Sequence, residues 1–172
     1  MRKLIIAVLI FFCGCSSVPK GILPVTGFEI SRYLGTWYEI ARLDHSFERG
    51  LINISAEYSQ MDDGGVKVVN RGFDPIKNEW KEVEGRAYFV SDPSTGSLKV
   101  SFFRPFYGGY HIIALDKEKY EYALVCGPDR SYLWILSKKP FLDKKIKDDL
   151  ILKAKKLGFD VSSLIQVKQE SK

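Results

Sequence analysis

From residue 36 onward, apolar and polar residues alternate in short runs, the period of a strand that buries one face and wets the other. Runs at 36–43, 53–61, 66–74, 80–90, 98–103, 109–116, 120–126 and 131–137 predict eight strands. Turn chemistry separates several of them: Asp62-Asp63-Gly64-Gly65, Asp92-Pro93-Ser94-Thr95-Gly96 and Asp116-Lys117-Glu118-Lys119. Eight short antiparallel strands in a meander predict an all-β fold, an up-and-down β-barrel whose closure leaves no exposed edge. After Pro140 the period lengthens to that of a helix over 142–157, with Ile146, Leu150, Ala154 and Leu157 on one face. Asp143 caps its start and Gly158 its end, so this single C-terminal helix is expected to pack outside the barrel. Residues 161–167 then read as a short edge strand.

Alternation also assigns the two faces. Taking Trp37 as interior, the apolar parity of each strand turns inward Ala41, Ile54, Ala56, Tyr58, Val66, Val68, Asn70, Val83, Gly85, Ala87 and Phe89. The later strands contribute Leu98, Val100, Phe102, Tyr110, Ile112, Ala114, Ala123, Val125, Tyr132, Trp134 and Leu136. The same parity places Glu39 inside, where a carboxylate needs a donor or a proton. Small residues at central positions, Ala56, Gly85, Ala87 and Ala114, predict an interior left partly empty for a ligand. The alternative is that Tyr58, Phe102, Tyr110 and Trp134 fill that space themselves.

The N-terminus is not part of this pattern. Arg2 and Lys3 precede an apolar stretch from Leu4 to Phe12, too short to span a bilayer, and Gly14 precedes Cys15. Residues 1–14 therefore read as a secretion signal, and Phe12-Cys13-Gly14-Cys15 resembles a bacterial lipobox. That resemblance implies a lipidated Cys15 and anchoring to a membrane; an ordinary secreted protein with a free Cys15 is the alternative. Ser16 after the cysteine resembles the outer-membrane sorting rule of Gram-negative bacteria, which leaves the barrel facing the periplasm. Residues 15–29, with two prolines and two glycines, read as a tether, and residues 30–172 as the barrel with its helix. Extended, the stretch from Cys15 to Gly35 would reach ~60 Å.

Composition narrows the chemistry. Loss of Arg2 and Lys3 with the signal takes the formal net charge from +5 to +3, too mild for a nucleic-acid partner. Cys13 leaves with the signal and Cys15 carries lipid, so Cys126 alone remains and no intrachain disulfide forms. There is no G-x-S-x-G elbow, no metal-spaced His or Cys cluster and no phosphate-binding glycine loop. The chain reads as a binding protein without cofactor or metal, not an enzyme.

Gly35-Thr36-Trp37-Tyr38-Glu39-Ile40-Ala41-Arg42 resembles the opening signature of the lipocalins, and Asp129-Arg130-Ser131-Tyr132-Leu133-Trp134-Ile135-Leu136-Ser137-Lys138 resembles their late strand. Phe106-Tyr107-Gly108-Gly109-Tyr110 and Leu124-Val125-Cys126-Gly127-Pro128-Asp129 extend the likeness over residues 30–167, and it is strongest to the bacterial lipoprotein lipocalins. The resemblance implies a structural floor of Gly35 and Trp37, with Lys138 over the indole where the family usually has Arg. The opposite end is then a mouth of loops bearing Phe47, Arg49, Arg104, Phe106, Tyr107 and Arg130, suited to an amphiphile with its acyl chain inside and an anionic head at the rim. Equally, those arginines pair with Asp44, Glu48 and Asp129. The expected partner is a lipid, a fatty acid or lysophospholipid, held for envelope maintenance. The alternatives are an assembly lipoprotein without cargo and, less favoured, a lipid-modifying enzyme. Oligomeric state, a homodimer included, is not written in this sequence.

Overall fold

Gly35, at φ +90°, turns the chain from a one-turn helix α1 (Ile30–Tyr33) into strand β1 (Gly35–Arg42). Seven more strands follow in the computed structural model, which describes residues 16–170: β2 (Ile52–Gln60), β3 (Val66–Asp74), β4 (Glu79–Phe89), β5 (Ser97–Phe103), β6 (Phe106–Leu115), β7 (Tyr122–Cys126) and β8 (Leu133–Ser137). Each pairs antiparallel with the next, β8 returns to β1, and β1 pairs with β2, so the sheet closes into the expected barrel. Helix α2 (Lys144–Lys156) lies outside, its start capped by Asp143 Oδ1 accepting from the amides of Lys145 (2.9 Å) and Ile146 (3.2 Å). The expected 161–167 edge strand is a 3-10 turn (Val161–Ser163) followed by the two residues of β9 (Ile165–Gln166) beside β1. The signal segment and Cys15 lie outside the described residues.

Two apolar layers hold the molecule. The inner one joins Trp37, Tyr58, Val66, Val68, Ala87, Leu98, Ile112, Ala123, Val125 and Leu136. An outer one sandwiches Ile113, Leu124, Cys126, Leu133 and Ile135 beneath Leu150, Ala154 and Phe159. A buried Leu contributes about 1.5–3 kcal/mol, so α2 stabilises the wall it covers.

Register shifts interrupt four strand pairings, and two of them, between Glu39 and Ala41 in β1 and between Ile112 and Ala114 in β6, displace residues assigned by alternation. In both, the extra residue of a β-bulge reverses the parity beyond it. Ala41 and Ala114, both expected inside, consequently pack in the outer layer. Arg42, next to Ala41, is turned into the interior and is 2 % exposed.

The segment read as a tether lies as a strap along the barrel over its described residues. Its carbonyls and apolar side chains are held by the barrel: His111 Nε2 lies 3.2 Å from Ser17 O, Arg130 Nη2 donates to Lys20 O at 2.7 Å, and Ile22 is buried in the outer layer. Val25 N donates to Ile112 O at 2.8 Å and Phe28 N to Ser94 O at 2.8 Å. His111 Nδ1 meets Ser97 Oγ at 2.9 Å, so the tautomer that donates from Nε2 to the strap and accepts from Ser97 satisfies both.

Candidate ligand-binding site

Register places the largest interior side chain opposite a small one: Trp37 faces Ala56 across the β1–β2 pair. The indole is fully buried, donates Nε1–H to Tyr33 O at 2.7 Å and stacks on the Tyr33 ring with centroids 4.4 Å apart. Lys138 Nζ sits 4.6 Å from the indole centroid and donates to Tyr33 O at 3.3 Å and also to Leu34 O. The ammonium thus caps the floor from outside while knitting α1 to β8.

Above the floor, three phenols meet. Tyr110 Oη lies 2.8 Å from Tyr33 Oη and 2.9 Å from Tyr58 Oη. Burial pushes all three hydroxyls well above their ordinary pKa, so they stay protonated and act as a neutral chain. This chain divides the interior into two lobes that share Tyr58, Tyr110 and Asn70. One, of about 60 Å³, is bounded by Trp37, Glu39, Glu48, Ile54, Ser55, Ala56, Trp134 and Leu136. The other, of about 50 Å³, is bounded by Ile30, Tyr33, Val66, Val68, Ala87, Leu98, Val100 and Phe102. Asn70 Oδ1 is buried with no protein donor.

Most residues expected to line the interior do so, with defined exceptions. Val83 faces a wider hollow of about 460 Å³ at the mouth, which also takes in Phe47, Leu51 and Gly72 and shares Glu48, Ile54 and Asn70 with the lobes. Gly85 is buried under Phe102, whose ring would stand 2.6 Å from an added Cβ. Ile112 is interior but fully packed, and Ala114 belongs to the outer layer. Tyr132 precedes β8 and reaches the rim, its ring 5.8 Å from His45 and 6.1 Å from Trp134.

At the mouth, the expected head-group arginines separate. Arg49 is bonded to Asp44 (Nη2 to Oδ2 2.6 Å, Nε to Oδ2 2.9 Å) on the surface. Arg130 lies in the β7–β8 connection, but its side chain is engaged outside the opening: it donates to Leu157 O at 2.8 Å and to Lys20 O, joining the end of α2 and the strap. Tyr107 has the outward parity of Gly109, with the Lys99 ammonium 5.3 Å over its ring. Phe106 and Arg104 remain exposed at the rim.

Alternation missed the polar group that does sit beneath the opening. Arg42 Nη1 donates to Glu39 Oε1 at 3.0 Å and Nη2 to Glu48 O at 2.9 Å, while Trp134 Nε1 donates to Glu48 Oε2 at 3.3 Å. An inward Glu39 without a donor was the one sequence sign of this cluster. Burial, then Glu48, drives the Glu39 carboxyl well up, and burial raises Glu48, so one guanidinium faces two carboxyls that hold on to protons. His45 Nδ1 is 3.3 Å from Glu48 Oε2, yet the imidazole is neutral, because burial and then Arg42 push its pKa down to about 4. The two sets of groups act on stability with opposite sign. The unfolded chain protonates His45 near 6.5 and the folded one near 4, so its contribution is lost as pH falls through that interval. The raised carboxyls contribute below their ordinary value of 4.5 and lose it as pH rises. Titration of the His45 imidazole by proton NMR is expected to give a midpoint near 4, and a midpoint at 6.5 would contradict the burial.

Residues 28–169 match the Lipocalin-like domain family. Over 163 residues the chain is 55% identical to outer membrane lipoprotein Blc of Citrobacter freundii, covering 95% of this chain and 92% of the relative. The Vibrio cholerae protein of the same name is 53% identical over 91% of this chain and 92% of its own. Temperature-induced lipocalin-1 of Arabidopsis thaliana is 34% identical over 84% and 81%. Among solved structures, insecticyanin of the tobacco hornworm superposes with a TM-score of 0.72 at 24% identity, over 90% of this chain and 88% of that one. A barrel closed at β1–β2, an indole floor under a lysine, and these relationships over most of its length make the chain a member of the lipocalin family.

Proposed function

We propose that this lipocalin, anchored to the outer membrane through Cys15 with its barrel in the periplasm, binds a single-chain amphiphile, a fatty acid or lysophospholipid, for upkeep of the envelope. The observation that carries the binding is the mainly apolar lining of both lobes and their edge with the mouth hollow, which the larger lobe shares at Glu48, Ile54 and Asn70 and the smaller at Asn70. The names of the bacterial relatives support the membrane and the anchor. Removing a C16 chain from water is worth of the order of ten kcal/mol before the costs of immobilisation. Lobes of about 50 and 60 Å³ are far below the ~300 Å³ at which ligand pockets begin. Admission of a chain therefore requires Tyr58 and Tyr110 to part, so that both lobes merge with the hollow above.

That narrowness also favours a second reading, an envelope lipoprotein whose barrel is a docking platform without cargo. Native mass spectrometry of the intact protein, released from detergent after exposure to envelope lipid extract, separates the two. One bound single-chain lipid per barrel is expected. A folded protein that leaves every lipid class behind would overturn the carrier reading in favour of the platform.

A further inference from the structure

Four strongly exposed apolar side chains gather at one end of this barrel, while Leu23 (85 %) and Phe141 (67 %) stand apart from them. Phe47 (59 % exposed) and Ile76 (92 %) lie in the β1–β2 and β3–β4 connections, and Phe103 (77 %), the last residue of β5, and Phe106 (53 %), the first of β6, flank the β5–β6 connection, all at the open end. Isolated exposed apolar residues are ordinary, but four around one rim are what an interaction surface shows. Lys77 and Arg104 stand among them. At the closed end, the β2–β3 and β4–β5 turns carry Asp62, Asp63 and Asp92 with no basic residue, and the β6–β7 turn sets Asp116 and Glu118 against Lys117 and Lys119. The open rim thus sets Lys77 and Arg104 among apolar side chains, while the closed-end turns lean acidic beside Arg32, Lys138 and Lys139.

The strap supplies the second observation. Ser17 is already held at His111, so Ser16 alone lies between the held strap and Cys15, about 7 Å of chain at full extension. A barrel tied this closely to a lipidated residue stands against the bilayer and presents some face to it. We propose that this face is the open end: Phe47, Ile76, Phe103 and Phe106 enter the interface of an anionic bilayer, with Lys77 and Arg104 at head-group level, so that the barrel mouth opens onto the lipid surface. The orientation rests on the Cys15 anchor for proximity; the affinity of the rim for lipid does not. Aromatic rings and basic heads at one level are what an interfacial contact selects.

The test uses the full-length protein on vesicles of phosphatidylethanolamine and phosphatidylglycerol. Single cysteines replace Phe103 at the rim, Asp62 at the closed end, and Phe141, which is 67 % exposed beside Lys139 and marks the competing contact. Each carries an environment-sensitive fluorophore, and quenching by spin-labelled lipid is read; buried Cys126, its thiol pushed up to about 12, stays unlabelled in the folded protein. The Phe103 site is expected to be quenched several-fold more than the other two. Quenching at Asp62 or Phe141 that equals or exceeds it, or none at Phe103 on vesicle-bound protein, overturns the orientation. A full-length Cys15→Ala protein isolates the rim: its vesicle partitioning should fall about tenfold or more when Ile76→Asp and Phe103→Asp are added. Equal partitioning of the two overturns the proposal. The mass of the N-terminal peptide reports separately on the anchor, since an unacylated Cys15 removes the anchor reading while the Cys15→Ala comparison still decides the rim.

Discussion

Trp37→Ala should cost about 3–5 kcal/mol, and for a domain of this size lower the melting temperature by roughly 10–20 °C. Three losses coincide at that position. The indole is fully buried, its N–H bond to Tyr33 O is removed, and the Tyr33 ring loses its stacking partner. Ala56 opposite is too small to fill the void. Lys138 would be left over a hole, its remaining bonds directed to the backbone of Tyr33 and Leu34. Trp37→Phe keeps part of the volume and forfeits the hydrogen bond, so it should fall between the two. Thermal unfolding followed by circular dichroism measures all three proteins, and a change below ~1 kcal/mol for alanine would show that the floor does not hold the barrel.

The second large effect separates the inside of the wall from its outside. Ala56→Trp sends an indole into the lobe of about 60 Å³ beside Trp37, blocking the space an alkyl chain needs. Loss of a third of the area term for a C16 chain corresponds to a fall in affinity of about 100-fold or more, with ~1–3 kcal/mol of overpacking strain in the fold. Ala114→Trp looks equivalent from alternation, but Ala114 packs in the outer layer that α2 covers. That substitution should loosen the helix and leave lipid affinity within a few-fold of the parent. Titration with a fluorescent fatty acid, alongside unfolding curves, reads both outcomes; strong binding by a folded Ala56→Trp protein would place the ligand elsewhere.

The contrast between these two alanines shows what the chain discloses about itself. Strand number, turns, the capped helix and the Trp37–Lys138 floor follow from period, turn chemistry and a family-like motif, all of which act locally. A bulge does not. Neither Glu39-Ile40-Ala41 nor Ile112-Ile113-Ala114 contains a glycine or proline to announce one, and in both an apolar residue suits either face of a wall buried on both sides. So Ala114 was legible as small and apolar but not as outward, and Arg42 was legible as charged but not as Glu39's partner. Arg130 was drawn to the mouth by its loop, whereas its bonds come from the strap and from the end of α2, segments distant in sequence. The strap has no period because backbone bonds and scattered contacts such as Ile22 hold it, and these leave no repeating mark. Tyr58 and Tyr110 were each assigned inward, yet the meeting of their hydroxyls with that of Tyr33 depends on three separate elements.

Cys126 carries a practical corollary. Its thiol is sealed beneath α2 and its proton is held up to about 12, so almost none is present as thiolate at neutral pH. Maturation of the barrel accordingly asks nothing of oxidising enzymes. Reductant added during purification should leave its melting curve where it was.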